Sequence, residues 1–300
     1  MKHISTKTIA GLAVFLLFMP ACTNELNETP ASEQAIVFGP QADTRAVVEN
    51  TGELGSFSVW GWYTKATPVQ IFGDENGGTT VESPNWTYEG GARYWVPGAT
   101  YNFYGVYPNT VDAQVSNGVI TVPSFDSSAT GNDAVDLMTA VSSRIYDGTD
   151  ASAVVMDFNH LLSKVNIMAT VEGGNATVTS VTFSGMATQG NYSSTDGWND
   201  TAQGSFTSNE SKVLNSTGVD LLGDMLLIPQ TITENFKVSV TYTIDEEQKT
   251  TEIVLPTANA SNWEAGKSYR YTLAFKGNNI IFTVNVVPWN HSAGGIITVE

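Results

Sequence analysis

The sequence has almost no cysteine. Cys22 is the only one in 300 residues, and this excludes thiol-based catalysis in the rest of the chain. An unpaired cysteine in an exported protein calls for a specific explanation, because cysteines in oxidising compartments usually pair. The residues around Cys22 supply that explanation.

Positive charge is also scarce. The chain has 13 lysine and arginine residues against 30 aspartate and glutamate residues, which gives a formal net charge of -17. Contacts to nucleic-acid phosphates require clustered lysine and arginine. The sequence therefore predicts no nucleic-acid partner. The negative charge favours solubility and carries little information about the fold.

Signatures of catalysis are missing as well. The sequence has no G-x-S-x-G, H-E-x-x-H, G-x-G-x-x-G or P-loop pattern, so the common hydrolase, zinc-protease and nucleotide-binding motifs are absent. His160 and His291 are the only histidines after residue 21, too few for a histidine-rich metal site. His160 also lies among apolar residues, which indicates a structural role. We predict no enzyme activity and no catalytic, cofactor-binding or metal-binding residues.

Long hydrophobic runs are limited to the N-terminus. Lys2, His3 and Lys7 precede an apolar run over residues 9–19, which has the length of a signal-peptide core. A membrane-spanning helix needs about 20 apolar residues, so this run is too short to be one. No later segment has 18 or more uninterrupted apolar residues. Residues 1–21 are therefore predicted to be a signal peptide.

The signal segment ends in a pattern typical of a lipoprotein. The run closes with M-P-A-C, and the small residue Ala21 stands directly before Cys22. In such a lipobox the acylation machinery adds a diacylglyceryl group to the thiol, and the cysteine becomes the new N-terminus with acyl chains such as palmitate. Several acyl chains hold a protein firmly to a membrane. The alternative is a signal peptide that contains Cys22 by chance and is cut elsewhere.

Hydrophobic residues alternate with a period of two in many short runs. This pattern predicts half-buried strands, and turn-forming residues fill the gaps. Many short strands with frequent turns favour β-sandwiches. We therefore expect an all-β chain with a polar break near residues 147–153. The clearest strand runs are residues 57–63, 101–107, 163–171, 236–244, 269–275 and 280–287.

Tryptophan is the one residue type that offers a binding surface. Trp60 and Trp62 share one strand face, and exposed aromatic rings could stack on sugars. Sandwiches usually bury such residues, so core packing is the preferred interpretation. Glycan binding stays open as an alternative.

Several short segments, taken in order, resemble the fimbrillin family of Bacteroidota, which comprises the type V pilins and their Mfa-like relatives. The similarity extends over nearly the whole chain, and the order and spacing of the pieces carry it. The matching pieces are Cys22, A-I-V-F-G at 35–39, T-R-A at 44–46, F-S-V-W-G-W-Y at 57–63, D-L-M-T-A at 136–140, F-N-H-L-L-S-K-V-N-I at 158–167, L-L-I-P-Q at 226–230, W-E-A-G-K-S-Y-R-Y-T-L at 263–273 and V-V-P-W at 286–289.

The resemblance implies two tandem transthyretin-like β-sandwiches, here residues 46–150 and 151–300. It also implies export as an outer-membrane lipoprotein, followed by a cut between Arg45 and Ala46 by an arginine-specific surface protease. That cut would release residues 22–45 with the lipid and leave the mature chain at the cell surface. Arg45 is the only basic residue between Lys7 and Lys65, although it could also be an ordinary solvated arginine of the tether.

The two ends of the chain suit donor-strand assembly. Residues 35–39 form a compact apolar strand with Ile36 and Phe38 on one face, and its removal would expose a groove with unpaired backbone groups. A strand from another pilin subunit can fill that groove. The candidate donor segment, 296–300, consists of Ile296, Ile297, Thr298, Val299 and the final glutamate. The alternative is an ordinary last strand of the second domain.

The predicted function is therefore a structural subunit of an adhesive surface fimbria. Its expected partners are other pilin subunits, in a head-to-tail homo- or hetero-polymer, together with the protease and the acylation machinery. Two alternatives stay open. One is a monomeric surface lipoprotein that binds glycans, and the other is a pilus anchor subunit that keeps its lipid.

Overall fold

The structure, a computed structural model, describes residues 33–39, 54–244, 246–255, 260–277 and 279–289. Within these ranges the chain forms strands β1 to β21 and one short 3-10 helix, Gly131–Asp133. The prediction of an all-β chain is confirmed. None of the described segments forms a helix able to span a bilayer.

Eleven of the strands precede residue 161. They are β1 (Phe38–Gly39), β2 (Phe57–Thr64), β3 (Pro68–Phe72), β4 (Thr79–Glu82), β5 (Thr87–Tyr88), β6 (Ala99–Tyr107), β7 (Gln114–Ser116), β8 (Val119–Asp126), β9 (Met138–Tyr146), β10 (Val154–Val155) and β11 (Asn159–His160).

The remaining strands complete the chain. They are β12 (Ser163–Glu172), β13 (Ala176–Ser193), β14 (Gly197–Ser208), β15 (Lys212–Val213), β16 (Val219–Asp220), β17 (Met225–Leu227), β18 (Lys237–Ile244), β19 (Glu247–Val254), β20 (Lys267–Lys276) and β21 (Asn279–Pro288).

The strands form three large sheets and one small pair. The N-sheet has the order β11-β9-β6-β2-β4-β5, with β3 paired to β2. The C-sheet has the order β16-β12-β20-β21, with β17 paired to β12. The long sheet has the order β19-β18-β13-β8-β7, with β14 and β15 also paired to β13. Strands β1 and β10 form the separate parallel pair.

Alternation of side chains builds the cores, as the period of two requires. In β6, for example, Ala99, Tyr101 and Phe103 are fully buried, and the residues between them are only half-buried. Two clusters result. The N-core contains Ile36, Phe38, Phe57, Val59, Phe72, Trp95, Tyr101, Phe103 and Phe158 among others. The C-core contains Val165, Ile167, Phe183, Phe236, Val240, Trp263, Tyr271 and Phe275 among others.

A third cluster, the junction core, takes residues from both halves of the chain. Trp60 and Val106 come from the N-sheet, whereas Ile228 and Trp289 come from the second half. The strand pairing follows the same pattern, because the 18-residue strand β13 pairs with both β8 and β18. The described residues from Gln34 onward form one compact unit. The finer division into two transthyretin-like domains at 150/151 stays a prediction.

Candidate functional site: the groove filled by residues 34–39

Residues 34–39, here called the groove strand, lie between two distant parts of the chain. Ala35 forms an antiparallel bridge with Tyr94 on one side. On the other side Phe38 pairs in parallel with Val154. The groove strand thus contributes to the N-core although long stretches of sequence separate it from its neighbours.

Backbone hydrogen bonds hold the groove strand on both edges. The Ile36 N–H donates to the Arg93 carbonyl at 2.7 Å, and the Trp95 N–H donates to the Gln34 carbonyl at 2.9 Å. On the opposite edge the Val154 N–H donates to the Val37 carbonyl at 2.8 Å. The groove strand is thus held through its main chain between the irregular segment at 93–95 and the two-residue strand β10.

Two tyrosine hydroxyls add side-chain contacts. Tyr88 Oη donates to the Ile36 carbonyl at 2.6 Å, and Tyr146 Oη donates to Gln34 Oε1 at 2.9 Å. Each net hydrogen bond of this kind contributes on the order of 1 kcal/mol. The groove therefore recognises the main chain of its occupant more than any one polar side chain.

Side chains of the groove strand alternate between core and solvent. Ile36 is fully buried and Phe38 is 5% exposed, whereas Val37 between them is 46% exposed. The strand thus gives its two large apolar side chains to the N-core. Removing it would leave two apolar pockets open to water.

The Phe38 pocket is an aromatic cage. The Phe38 ring makes edge-to-face contacts with four rings, which are Phe57 at 6.0 Å, Phe72 at 5.3 Å, Tyr88 at 6.1 Å and Phe103 at 5.8 Å between centroids. Edge-to-face pairs add about 0.5–1.5 kcal/mol each beyond the area they bury. Phe38 is therefore the main anchor of the strand.

Arg93 fixes the loop that supplies one edge of the groove. Its Cζ lies 4.8 Å from the Phe72 ring centroid and 5.0 Å from that of Tyr88, a cation–π geometry. Its guanidinium also donates to the carbonyls of Ile71 and Glu89, at 2.9 and 2.7 Å. The Arg93 carbonyl is thereby held where it accepts the Ile36 N–H.

A buried tyrosine supports the same loop from below. The Tyr101 hydroxyl accepts the Val96 N–H at 2.6 Å, and its ring packs against Trp95 with centroids 4.6 Å apart. Burial raises the pKa of Tyr101, so its hydroxyl stays protonated through the neutral range. The groove edge rests on a neutral hydrogen bond and on ring packing.

The groove strand ends where space is tight. A Cβ added at Gly39 would lie 2.8 Å from the Cβ of Ala153. Real Cβ atoms essentially never come that close, so the position after the aromatic anchor requires glycine unless the chain moves. The groove thus places one apolar and one steric requirement on neighbouring positions.

The other end of the described chain is anchored in the junction core. The Trp289 ring stacks on the His160 imidazole with centroids 3.9 Å apart, and His160 Nδ1 lies 2.8 Å from Asp136 Oδ1. His160 is 8% exposed, in keeping with the structural role predicted for it. Trp289 and His160 thus pack together at the end of the described part of the chain.

Most of the sequence-predicted site residues lie outside the described residues. These are Cys22, Arg45, Ala46, Ile296, Ile297, Thr298 and Val299. Their predicted roles stay predictions. The residues that form the groove itself were not identified from the sequence, and only their aromatic character hinted at them.

Neither a metal site nor a tryptophan surface stands out. Among the described residues no three histidine, cysteine, aspartate or glutamate side chains are grouped to hold a metal ion. Trp60 is 2% exposed and belongs to the junction core, and Trp62 packs half-buried beside it. This packing agrees with the core interpretation of the Trp60 and Trp62 face.

The sequence was compared with protein-family models and with curated proteins. A family model described as fimbrillin-like matches residues 44–289. Among curated proteins none matches this chain.

Three solved structures with a similar fold come from Bacteroides species. A candidate cell adhesion protein from Bacteroides uniformis is 22% identical with a TM-score of 0.55, covering 86% of this chain and 100% of that one. A fimbrial protein from Bacteroides vulgatus is 15% identical with a TM-score of 0.60, covering 85% and 99%. A candidate cell adhesion protein from Bacteroides ovatus is 17% identical with a TM-score of 0.55, covering 87% and 99%.

Proposed function

Since the chain belongs to the fimbrillin-like family, we propose that it is a structural subunit of an adhesive surface fimbria, assembled by exchange of the groove strand. The family is a structural one, which agrees with the prediction that the chain is not an enzyme. Similarity to a fimbrial protein and to candidate cell adhesion proteins supports the adhesive role.

The observation that carries the proposal is the groove strand itself. It fills an apolar groove through non-covalent contacts alone, namely two buried side chains and hydrogen bonds on both edges. Arg45 follows this strand and is the only basic residue between Lys7 and Lys65. A cut after Arg45 would sever the strand from the domain that it completes.

The cut matters because it changes how strongly the strand is held. A short covalent connection keeps a strand near its groove at an effective concentration on the order of millimolar. After the cut the strand is an ordinary ligand that dilution and competition can remove. A strand from a second subunit can then enter, which converts proteolysis into a trigger for assembly.

Lipidation would place the proposed cleavage at the cell surface. Acylation at Cys22 would hold the precursor on the outer membrane until the cut between Arg45 and Ala46 frees the mature chain. A groove at one end and a donor strand at the other give a head-to-tail contact, which produces open filaments when it does not close into a ring. Ile296, Ile297, Thr298 and Val299 are the proposed donor.

Replacing Arg45 by alanine is expected to keep the chain out of fimbriae. Wild-type chain from sheared fimbriae should begin at Ala46 without lipid, whereas the variant should stay on the cell surface with acylated Cys22 at its start. N-terminal sequencing and intact mass measure both.

Two matched variants separate processing from charge at this position. Arg45→Lys keeps the charge and should still fail with an arginine-specific protease. Thr44→Arg combined with Arg45→Ala should restore a cut one residue earlier and return the chain to fimbriae. Fimbriae that contain normal amounts of Arg45→Ala would refute cleavage as the trigger.

Deleting residues 296–300 should block donation and leave the fold intact. The truncated chain is expected to be processed normally and to show an unchanged unfolding transition, because the donor is proposed to act in a neighbouring subunit. Electron microscopy of sheared fimbriae would show few or short filaments. Glu300→Gln, which keeps the apolar residues, is the control, and filaments of normal length from the deletion would remove the donor role.

A further inference from the structure

We infer that the groove selects a strand with an aliphatic residue, any residue, an aromatic residue and then glycine, and that its donor is therefore a strand of a different chain and not the C-terminal segment of a second copy of this one. The inference rests on the proposed strand exchange. The groove strand, seated in the groove of this structure, serves as the template for the occupant.

The aromatic requirement comes from the cage around Phe38. Four rings surround this position, all within 6.1 Å of the Phe38 centroid and all edge-to-face. An aliphatic side chain in the same place would leave part of the cage unfilled, and a cavity in a close-packed site weakens binding. A polar side chain there would in addition lose its hydrogen bonds to water.

The glycine requirement comes from Ala153. Any side chain at the position of Gly39 would bring its Cβ to 2.8 Å from the Ala153 Cβ. The position of Val37 imposes no such limit, because that side chain is 46% exposed. The groove thus restricts the residues at the positions of Ile36, Phe38 and Gly39 and tolerates variation at the position of Val37.

The C-terminal segment of this chain meets these requirements poorly. Residues 290–300 contain no phenylalanine, tyrosine or tryptophan, so no register in either direction places an aromatic ring in the cage. In the direction of the groove strand, Ile297 at the Ile36 position would place Val299 in the cage. Glu300 would then take the place of Gly39 and meet Ala153.

The other register is worse on the same grounds. With Ile296 at the Ile36 position, Thr298 enters the aromatic cage and Val299 takes the place of Gly39. A hydroxyl in an apolar cage and a β-branched residue beside Ala153 are both unfavourable. The chain is therefore better suited to donate its own strand to a different groove than to fill a groove of its own type.

A displacement experiment on the full chain tests the inference. The purified chain is cut after Arg45 with an arginine-specific protease, and intact mass confirms a single cut. Excess synthetic peptide is then added, and release of the N-terminal fragment is followed by size-exclusion chromatography and mass spectrometry. The peptides are Q-A-I-V-F-G-P from residues 34–40, its Phe38→Tyr, Phe38→Val and Gly39→Ala forms, G-I-I-T-V-E from residues 295–300, and a scrambled form as baseline.

The expected order of affinity is sharp. The native peptide should displace the fragment at the lowest concentration. The Phe38→Tyr peptide keeps the ring but adds a hydroxyl inside an apolar cage, so it should need a higher concentration than the native peptide. The Phe38→Val and C-terminal peptides leave part of the cage unfilled and should need roughly 30-fold more or should fail, on the scale of large-to-small substitutions in packed sites. The Gly39→Ala peptide should show a loss of similar size for the opposite reason, because its added Cβ has no room beside Ala153.

The two ways to fail are distinguishable. If the C-terminal peptide displaces the fragment as well as the native peptide does, the inference is wrong and strand exchange stands. If no peptide displaces the fragment above the scrambled baseline, exchange at this groove is itself refuted.

Discussion

Replacing Phe38 by alanine is expected to lower the free energy of unfolding of the uncut chain by about 3–5 kcal/mol, the usual cost of truncating a buried phenylalanine. Phe38 is 5% exposed and contacts four aromatic rings at once. The cage is formed by residues of separate strands, so it cannot easily collapse onto the vacancy. Urea unfolding followed by tryptophan fluorescence measures the loss, in an Arg45→Ala background chosen to block the proposed cleavage.

A neighbouring substitution provides the control. Val37→Ala removes an aliphatic side chain from the same strand, but this side chain is 46% exposed, so we expect a change within about 0.5 kcal/mol. Once the strand has been cut and displaced by a competing peptide, Phe38→Ala should have no effect at all. Equal losses from both variants would show that the groove strand is not anchored by the cage.

The size of this contribution bears on how the proposed precursor would be kept from assembling. Typical domains are stable by only 5–15 kcal/mol, so a strand anchored this strongly carries a large fraction of the total. The precursor should therefore be compact and inert while the strand is attached. In the proposed mechanism, a strand that enters the emptied groove would gain a comparable free energy only if it places an aromatic side chain in the cage.

Many of the strands could be predicted from the sequence, because the alternation of apolar and polar residues that marks a strand is a local pattern. The run at residues 57–63 became β2, and that at residues 280–287 became β21. The shared face of Ile36 and Phe38 is visible in the same way. What was not visible is the partner of that face, since Tyr88 and Arg93 lie in or beside irregular segments with no period to detect.

The link between the halves of the chain was also hidden from sequence analysis. The polar break near residues 147–153 is real as a gap between β9 and β10, but β8 and β13 pair across it. Strand partners far apart in sequence leave no local pattern. The length of β13, 18 residues, could not be expected either, because register shifts along it interrupt the alternation that marks a single strand.

Replacing Gly185 by alanine is expected to lower the free energy of unfolding by about 4 kcal/mol or more, in the range reserved for severe structural conflicts. Gly185 follows the last residue of β13 that pairs with β18, and its φ is +96°. An added Cβ would lie 2.0 Å from the Asn235 carbonyl oxygen. That atom belongs to backbone and cannot rotate away, so the turn before β18 would have to move.

The Gly185→Ala substitution would also affect the neighbouring part of β13, because the hydrogen-bond ladder between β13 and β18 ends at this point. The Gln230 side chain bridges the gap by accepting the Ala187 N–H at 2.7 Å and donating to the Ala187 carbonyl at 3.1 Å. Beyond this point β13 pairs with β8 at Gln189. A displaced turn at Asn235 would therefore loosen β13 at the point where its pairing partner changes from β18 to β8.

Gly197→Ala is the matched control, since it separates backbone strain from the steric conflict. Gly197 also has a positive φ, +74°, but an added Cβ would meet nothing within 4 Å. Its cost should be that of a non-glycine residue in the left-handed region, about 1–2 kcal/mol. The difference between the two variants, measured by chemical unfolding, isolates the contact with Asn235. If both variants lower the free energy of unfolding equally, the close packing of β13 against the turn before β18 does not limit stability. The part of β13 where its partner changes from β18 to β8 would then tolerate more displacement than its geometry indicates.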